Sequence, residues 1–286
     1  MNGAASRRRF DDGRWHFQHG PIDLVIDCDG DRPACDAAAE RAWDRFQGVL
    51  AELVPSLALL RSAVVDAAAG RGLAGRGAGP IASRMIGACL PYAREHGLFI
   101  TPMAAVAGSV ADEIVGFFRG PGIVRAYVNN GGDIALHLAP GERYEIGVVT
   151  DLALPAIDGR FGIEAASTVR GIATSGWRGR SFSLGIADSV TVLAKTGAEA
   201  DAAATMIANH VNVQSPAVHR RPACELKDDT DLGDRLVTVA VGSLSQAEIE
   251  TALDGGESFA GQLRQRGLIE AAAISLGGHA RVVRSR

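Results

Sequence analysis

Two oxygen-bearing side chains, Asp201 and Thr205, stand four residues apart in the alanine-rich stretch ADAAATMIANHV. In a helix this spacing places both side chains on one face, with about 5–6 Å between their Cβ atoms. A carboxylate and a hydroxyl are hard ligands, and so small a set suits Mg²⁺, which completes its shell with water and substrate phosphates. The alternative is a first-turn aspartate stabilised by the helix dipole and a threonine bonded back to its own helix. The spacing alone leaves both interpretations open.

Two other segments carry groups that can bind a nucleotide. The sequence NNGGD at 129–133 lies between two alternating stretches, where paired glycines permit close approach and asparagine amides can read a heterocycle edge. The stretch GIATSGWRGRSFSLG at 171–185 combines glycines, hydroxyls and two arginines, which are the groups that bind phosphates. Each segment also has a simpler interpretation, a hairpin turn for the first and a polar surface loop for the second.

The hydrophobic pattern predicts the elements that must position these groups. Strands are predicted as a hairpin within 14–29 and at 123–128, 134–138, 145–149, 161–164, 189–194, 235–241 and 272–276. Helices are predicted within 35–69, with a break near Pro55, and at 81–95, 103–118, 198–210 and 245–253. Because short strands joined by tight turns alternate irregularly with helices, the expected class is α+β with mixed, mostly antiparallel sheets flanked by helices.

Length and charge limit the classes of protein to consider. The chain has 286 residues, 47% of them apolar and 22% charged, which fits one large domain or two small ones. We interpret residues 1–286 as a single domain, and a division into two subdomains at the glycine-rich link near 70–80 stays open. A net charge of -4 with both signs spread along the chain gives no footprint for nucleic acid.

Targeting signals and cysteine spacing are uninformative in this sequence. No apolar stretch follows the basic run at 7–9 and no window approaches about 18 uninterrupted apolar residues, so a cytoplasmic protein without a membrane partner is expected. The four cysteines match no zinc-binding spacing and are interpreted as reduced thiols that form no site. They are Cys28, Cys35, Cys89 and Cys224.

Five segments, taken in order between about Ala104 and Val211, resemble the motifs of the ApbE family, whose members are FAD:protein FMN transferases. The segments are AVAGSVAD, NNGGDI, GIATSG, SVTVLA and ADAAAT. The resemblance implies an ApbE-like fold, Mg²⁺ as cofactor and FAD as ligand or substrate. It implies metal ligation by Asp201, Thr205 and, by position, the backbone carbonyl of Val106.

The same resemblance implies a flavin site formed by the second and third motifs. Its residues would be Asn129, Asn130, Gly131, Gly132, Asp133, Ala173, Thr174, Ser175 and Gly176. In that family a protein threonine attacks the FMN phosphorus and AMP leaves, so an acceptor protein is implied as a partner.

Two departures from the family pattern concern catalysis. Ala107 replaces the lysine of the AKG motif, and WRGRSFSLGIAD stands where an HxxDPxTG segment is usual. Arg178, Arg180 and Asp188 are the candidate replacements, with Asp188 as the group that would deprotonate an attacking hydroxyl.

The leading hypothesis is a magnesium-dependent protein that binds a flavin nucleotide and cleaves or transfers across its diphosphate. One alternative is a carrier that holds a flavin, a pterin or another nucleotide without turnover. A structural partner in an assembly is the third class, and a homo-oligomer is compatible with all three.

Overall fold

The computed structural model describes residues 3–74, 79–148 and 159–284. The strands are β1 (Ser6–Arg9), β2 (Trp15–His19), β3 (Ile22–Gly30), β4 (Ile123–Asn130), β5 (Asp133–Leu138), β6 (Arg143–Val148), β7 (Gly159–Glu164), β8 (Gly171–Ser175), β9 (Ser189–Ala194), β10 (Val218–Pro222), β11 (Leu236–Val241), β12 (Ala271–Leu276) and β13 (His279–Val283). The α-helices are α1 (Arg32–Leu53), α2 (Leu57–Leu60), α3 (Val64–Ala74), α4 (Pro80–His96), α5 (Val106–Val115), α6 (Gly197–His210) and α7 (Gln246–Gln265). Short 3-10 turns lie at Val54–Ser56, Pro102–Ala105, Gly116–Phe118 and Ala223–Glu225.

One large sheet organises the described part of the chain. It has nine strands in the order β1-β2-β3-β4-β5-β8-β9-β12-β13, and neighbouring strands are antiparallel. Strands β6 and β7 form a separate antiparallel ribbon, and so do β10 and β11. The predicted α+β class with mostly antiparallel sheet is therefore confirmed.

Alternate residues of the central strands point to two different cores. Ala173 of β8 and Val192 of β9 belong to the main core, which the helices share. Their chain neighbours Ile172 and Leu193 belong to a smaller cluster that also contains residues of the β6–β7 ribbon. This follows from the two-residue period of a strand, and it places α5 and α6 against one face of the sheet.

Helices α5 and α6 pack closely and each satisfies the other's first turn. A Cβ atom on Gly108 would lie 2.1 Å from the carbonyl oxygen of Gly197, so only glycine permits this approach. The Asp112 carboxylate of α5 accepts hydrogen bonds from the backbone N–H groups of Gly197 (2.8 Å) and Ala198 (2.9 Å). The Asp201 carboxylate of α6 accepts one from the N–H of Gly108 (3.0 Å). The first N–H groups of a helix have no partner within it, so these carboxylates act as reciprocal caps.

Several predicted element boundaries differ from the structure. The predicted loop at 171–185 begins with strand β8, where Gly171 packs so tightly that a Cβ would lie 1.9 Å from the Thr196 carbonyl oxygen. Helix α3 extends to Ala74, so the start of the predicted link near 70–80 is helical, while 75–78 lie outside the described residues. Residue 149, the predicted end of another strand, also lies outside them. Helix α7 is longer than predicted, and strands β1, β10 and β13 were not predicted.

The prediction of reduced thiols is wrong for two of the four cysteines. Cys28 of β3 and Cys35 of α1 form a disulfide, with 6.0 Å between their Cα atoms. The turn between β3 and α1 brings them together, and their spacing in sequence gave no sign of it. Cys89 and Cys224 are free thiols, and burial raises the pKa of Cys89 well above its ordinary value. None of the described helices is long and apolar enough to cross a bilayer.

Candidate functional site

A cavity of about 300 Å³ lies where α6, the first turn of α5, the β4–β5 turn and the segment 227–232 meet. Helix α6 contributes a polar stripe, because Asp201, Thr205 and Asn209 stand at successive four-residue intervals and all line the cavity. Val106 lines it as well. The structure thus brings together the three residues for which the sequence predicts metal ligation.

The alternative interpretation of Asp201 and Thr205 does not match the helix. The first-turn acid of α6 is Glu199, and Asp201 lies one residue beyond that turn. The Thr205 hydroxyl forms no hydrogen bond to any group in the described part of the chain, so it is not bonded back to its own helix. Its oxygen therefore stays available to a ligand in the cavity.

Asp133, the first residue of β5, faces the same cavity as Asp201. Burial, followed by the charge of Asp133, raises the pKa of Asp201 well above its ordinary value. Burial also raises the pKa of Asp133, against the opposing effects of the Thr174 backbone N–H and the Arg180 charge. We call Asp133 and Asp201 the acidic pair. Because burial disfavours ionisation of both carboxylates and the charge of Asp133 further disfavours that of Asp201, a cation bound between them would be stabilised by their negative charge.

The donor chemistry of this site fits Mg²⁺ better than a softer metal. The available donors are the carboxylates of the acidic pair, the Thr205 hydroxyl and the backbone of Val106, all of them hard oxygens. Among the described residues no group of three or more His, Cys, Asp or Glu side chains converges as a metal site. So sparse a set suits an ion that keeps water or substrate oxygens in its shell.

The turn between β4 and β5 brings one arginine to the cavity. Gly131 and Gly132 have φ values of +68° and +117°, which a tight hairpin turn requires. The Arg180 guanidinium lies over this turn, with Nη2 at 3.5 Å from the Gly131 carbonyl oxygen, and it lines the cavity. Asn129 accepts from the N–H of Gly132 (2.8 Å), and Asn130 donates to the carbonyl of Ala107 (3.1 Å).

Both asparagine side chains therefore brace the turn and α5, and neither lines the cavity. The residues predicted from the third motif also lie behind it. Ala173 is buried in the main core, and the Thr174 hydroxyl lies 2.9 Å from that of Thr191. A Cβ on Gly176 would lie 2.4 Å from the Asp188 carbonyl oxygen. Ser175 lies in β8 and does not line the cavity. Flavin contact by these residues stays a prediction.

Asp188 and Arg178 form a separate cluster. The Asp188 Oδ1 atom accepts from Arg178 Nε (2.9 Å) and Trp177 Nε1 (3.3 Å), and its Oδ2 atom accepts from the Gly277 backbone N–H (2.7 Å). Neither Asp188 nor Arg178 lines the cavity. Both oxygens of the predicted base are occupied by protein donors, so its catalytic role is a prediction that the geometry does not favour.

Sequence patterns did not reveal the opposite wall of the cavity. Asp229 is paired with Arg61 (2.8 Å) and Lys227 (3.5 Å), so two cations share one carboxylate at the mouth. Phe99 and Phe182 supply aromatic surface. The spacing of Asn209 from Thr205 could have identified that residue. The run KDDTDLGD at 227–234 has the composition of an exposed loop, so the sequence did not indicate that it lines a cavity.

The fold and the cavity define a class of protein, an α+β protein with a cavity of about 300 Å³ whose described lining includes four carboxylates, three cationic side chains and two phenylalanines. A family model described as "AbpE bacteria" matches residues 7–282. The chain therefore belongs to that family, which confirms the family resemblance inferred from the five motifs.

Curated relatives of this protein match about half of the chain. A UPF0280 protein of Methanopyrus kandleri is 35% identical over 153 residues, which are 54% of this chain and 58% of the relative. A UPF0280 protein of Methanothermobacter thermautotrophicus is 36% identical over 145 residues, which are 50% of this chain and 55% of the relative. The chain thus spans about half the length of the curated relatives it matches.

Two solved structures are similar along nearly the whole chain. The ApbE protein of Thermotoga maritima is 14% identical with a TM-score of 0.46, over 99% of this chain and 97% of that chain. The flavinyl transferase ApbE of Pseudomonas stutzeri, in its apo form, is 11% identical with a TM-score of 0.41, over 99% of this chain and 94% of that chain.

Proposed function

We propose that this protein binds a flavin dinucleotide together with Mg²⁺ and cleaves the diphosphate of FAD, transferring FMN to a protein hydroxyl. The observation that carries the proposal is the meeting of Asp201, Thr205 and Val106 with Asp133 in one cavity. These residues come from three separate motifs of the family to which the chain belongs. Mg²⁺ supplies charge neutralisation of the diphosphate when it is bound.

The side chains have distinct roles in this proposal. Asp201, Thr205 and the Val106 carbonyl hold the cation, and Asp133 adds negative charge beside it. Arg180, which the Gly131 carbonyl braces across the turn, orients phosphate oxygens.

The volume of the cavity indicates how the ligand lies. About 300 Å³ is at the lower end of small-molecule sites, too little to enclose a whole dinucleotide. The diphosphate and one ring fit inside, with Phe99 and Phe182 as apolar contacts, and the other half of the ligand extends over the protein surface.

A non-catalytic carrier is the second candidate, and one observation favours it. Asp188, the base predicted from sequence, has both oxygens bonded to protein donors and lies outside the lining of the cavity. A site that holds the nucleotide and its metal without a base would retain FAD unchanged.

Incubation with FAD and MgCl₂ distinguishes these candidates. After desalting, mass spectrometry of the retained ligand and chromatography of the small-molecule fraction report binding and AMP release separately. Stoichiometric AMP release together with conversion of FAD to free or protein-bound FMN supports cleavage or transfer, and retained FAD without AMP supports the carrier. If neither FAD nor a shorter flavin is retained, with or without Mg²⁺, the proposal of a flavin site is wrong.

A further inference from the structure

We propose that Asp231 is the base that removes the proton from the hydroxyl attacking the flavin diphosphate. This inference rests on the proposed function, since it requires a ligand in the same cavity. Asp231 lines that cavity together with other residues of the segment 227–232.

The other carboxylates that line the cavity already interact with protein groups or belong to the candidate cation site. Within the described residues, four carboxylates line the cavity, and three of them already have charged or structural partners. Asp201 caps α5 through Gly108 and, with Asp133, forms the acidic pair. Asp229 is neutralised by two cations, which hold its pKa below the ordinary value against the effect of desolvation.

Asp231 is positioned by a neutral donor that leaves one of its oxygens available. The Thr101 hydroxyl donates a short hydrogen bond to Oδ2 of Asp231, and Thr101 is itself buried, with 3% of its surface exposed. No cation or backbone N–H in the described part of the chain bonds to Asp231 Oδ1. A carboxylate fixed through one oxygen and open at the other has the arrangement of a general base.

The proton and bond changes balance with this one group. The hydroxyl oxygen of the acceptor, or of water, forms a bond to the phosphorus of the FMN half. The bond from that phosphorus to the bridging oxygen breaks, and AMP leaves with the bonding electron pair. The hydroxyl proton moves to Asp231, which returns it to solvent after AMP has left.

The test compares full-length variants in FAD binding and in AMP release with Mg²⁺, using water and a threonine-containing peptide as acceptors. Asp231→Asn is expected to lower the rate of AMP release about 100-fold or more, because a general base contributes about 10²–10⁴-fold. Its affinity for FAD should stay within about twofold of the wild type. Asp228→Asn is the matched control, because it makes the same change on an exposed neighbour outside the cavity and should leave both quantities unchanged.

Thr101→Val provides a second, independent variant. It removes the donor that orients Asp231 but leaves the carboxylate, so about a tenfold loss of rate with unchanged FAD affinity is expected. Full AMP release by Asp231→Asn overturns the assignment, and so does a loss confined to FAD affinity. If the wild type retains FAD but releases no AMP, the base assignment fails while the binding proposal stands. If it retains no FAD, both fail.

Discussion

The substitution Asp201→Asn separates the metal site from the helix cap. Asparagine still offers an oxygen to the Gly108 N–H, which Asp201 holds at 3.0 Å, but it removes the charge of the acidic pair. Without Mg²⁺ we therefore expect a free energy of unfolding equal to or above that of the wild type, because the repulsion with Asp133 is relieved. At a Mg²⁺ concentration 100 times its Kd, the wild type should gain about 2.7 kcal/mol, and the variant should gain nothing measurable.

The variant Asp201→Ala completes the comparison. It loses the charge and also leaves the Gly108 N–H at the start of α5 without its acceptor, which costs about 1–3 kcal/mol at any Mg²⁺ concentration. Urea denaturation with and without Mg²⁺ measures both effects, and titration calorimetry gives the metal affinity directly. If Asp201→Asn keeps the full stabilisation by Mg²⁺, the metal assignment is wrong. If it is as unstable as Asp201→Ala in metal-free buffer, the account of the cap is wrong.

Three other outcomes follow from the structure. Because the pKa values of Asp133 and Asp201 are raised in the folded protein, the folded protein binds more protons than the unfolded chain at pH values between the unfolded and folded pKa values. As the pH rises through this range, the metal-free free energy of unfolding should therefore fall and the affinity for Mg²⁺ should rise. Calorimetry at several pH values measures both quantities, and an affinity that does not change with pH would contradict the prediction. Gly108→Ala should lower the free energy of unfolding by about 2 kcal/mol or more, because the new Cβ atom would overlap the Gly197 carbonyl. The control Gly87→Ala in α4, where the Cβ atom meets open space, should be neutral or stabilising. Equal effects of the two substitutions in urea denaturation would refute the packing argument. Reduction of the bond between Cys28 and Cys35 should lower the free energy of unfolding by about 2–3 kcal/mol, as measured with and without dithiothreitol, and no change would show that the bond does not constrain the unfolded chain.

Local sequence signals predicted the elements that carry the α6 side of the site. Strand β9 occurs at Ser189–Ala194 as predicted, because it is a short run rich in β-branched residues. Helix α6 occupies Gly197–His210 against the predicted 198–210, and the Thr196 side chain caps it by accepting from the Glu199 N–H. Where the secondary structure of a segment is determined by the propensities and capping of its own residues, the sequence was sufficient to predict it.

The other wall depends on contacts that no local pattern encodes. Thr101 and Asp231 are separated by 130 positions, and only the packing of the chain makes them neighbours. The same is true of Asp188, for which a catalytic role was predicted because it lies in the segment that replaces the family's HxxDPxTG. The structure instead joins it to Gly277 near the end of the chain. Spacing can show which side chains share a helix face, but it cannot show which loops close over them.

The reciprocal caps of α5 and α6 also explain why the candidate metal site is sparse. The Asp201 carboxylate accepts a hydrogen bond from the Gly108 N–H, and the Ala107 backbone N–H also favours its ionised form, so part of its capacity to contact a cation is already used. In the proposed site Thr205 and Val106 would add one oxygen each, which would leave much of an octahedral shell to be filled from the cavity. A cation bound there needs oxygens from water or a phosphate, and a phosphate in turn needs the cation to offset the charge of the acidic pair. If both ligands bind as proposed, each therefore strengthens the binding of the other by the same factor, as linkage requires.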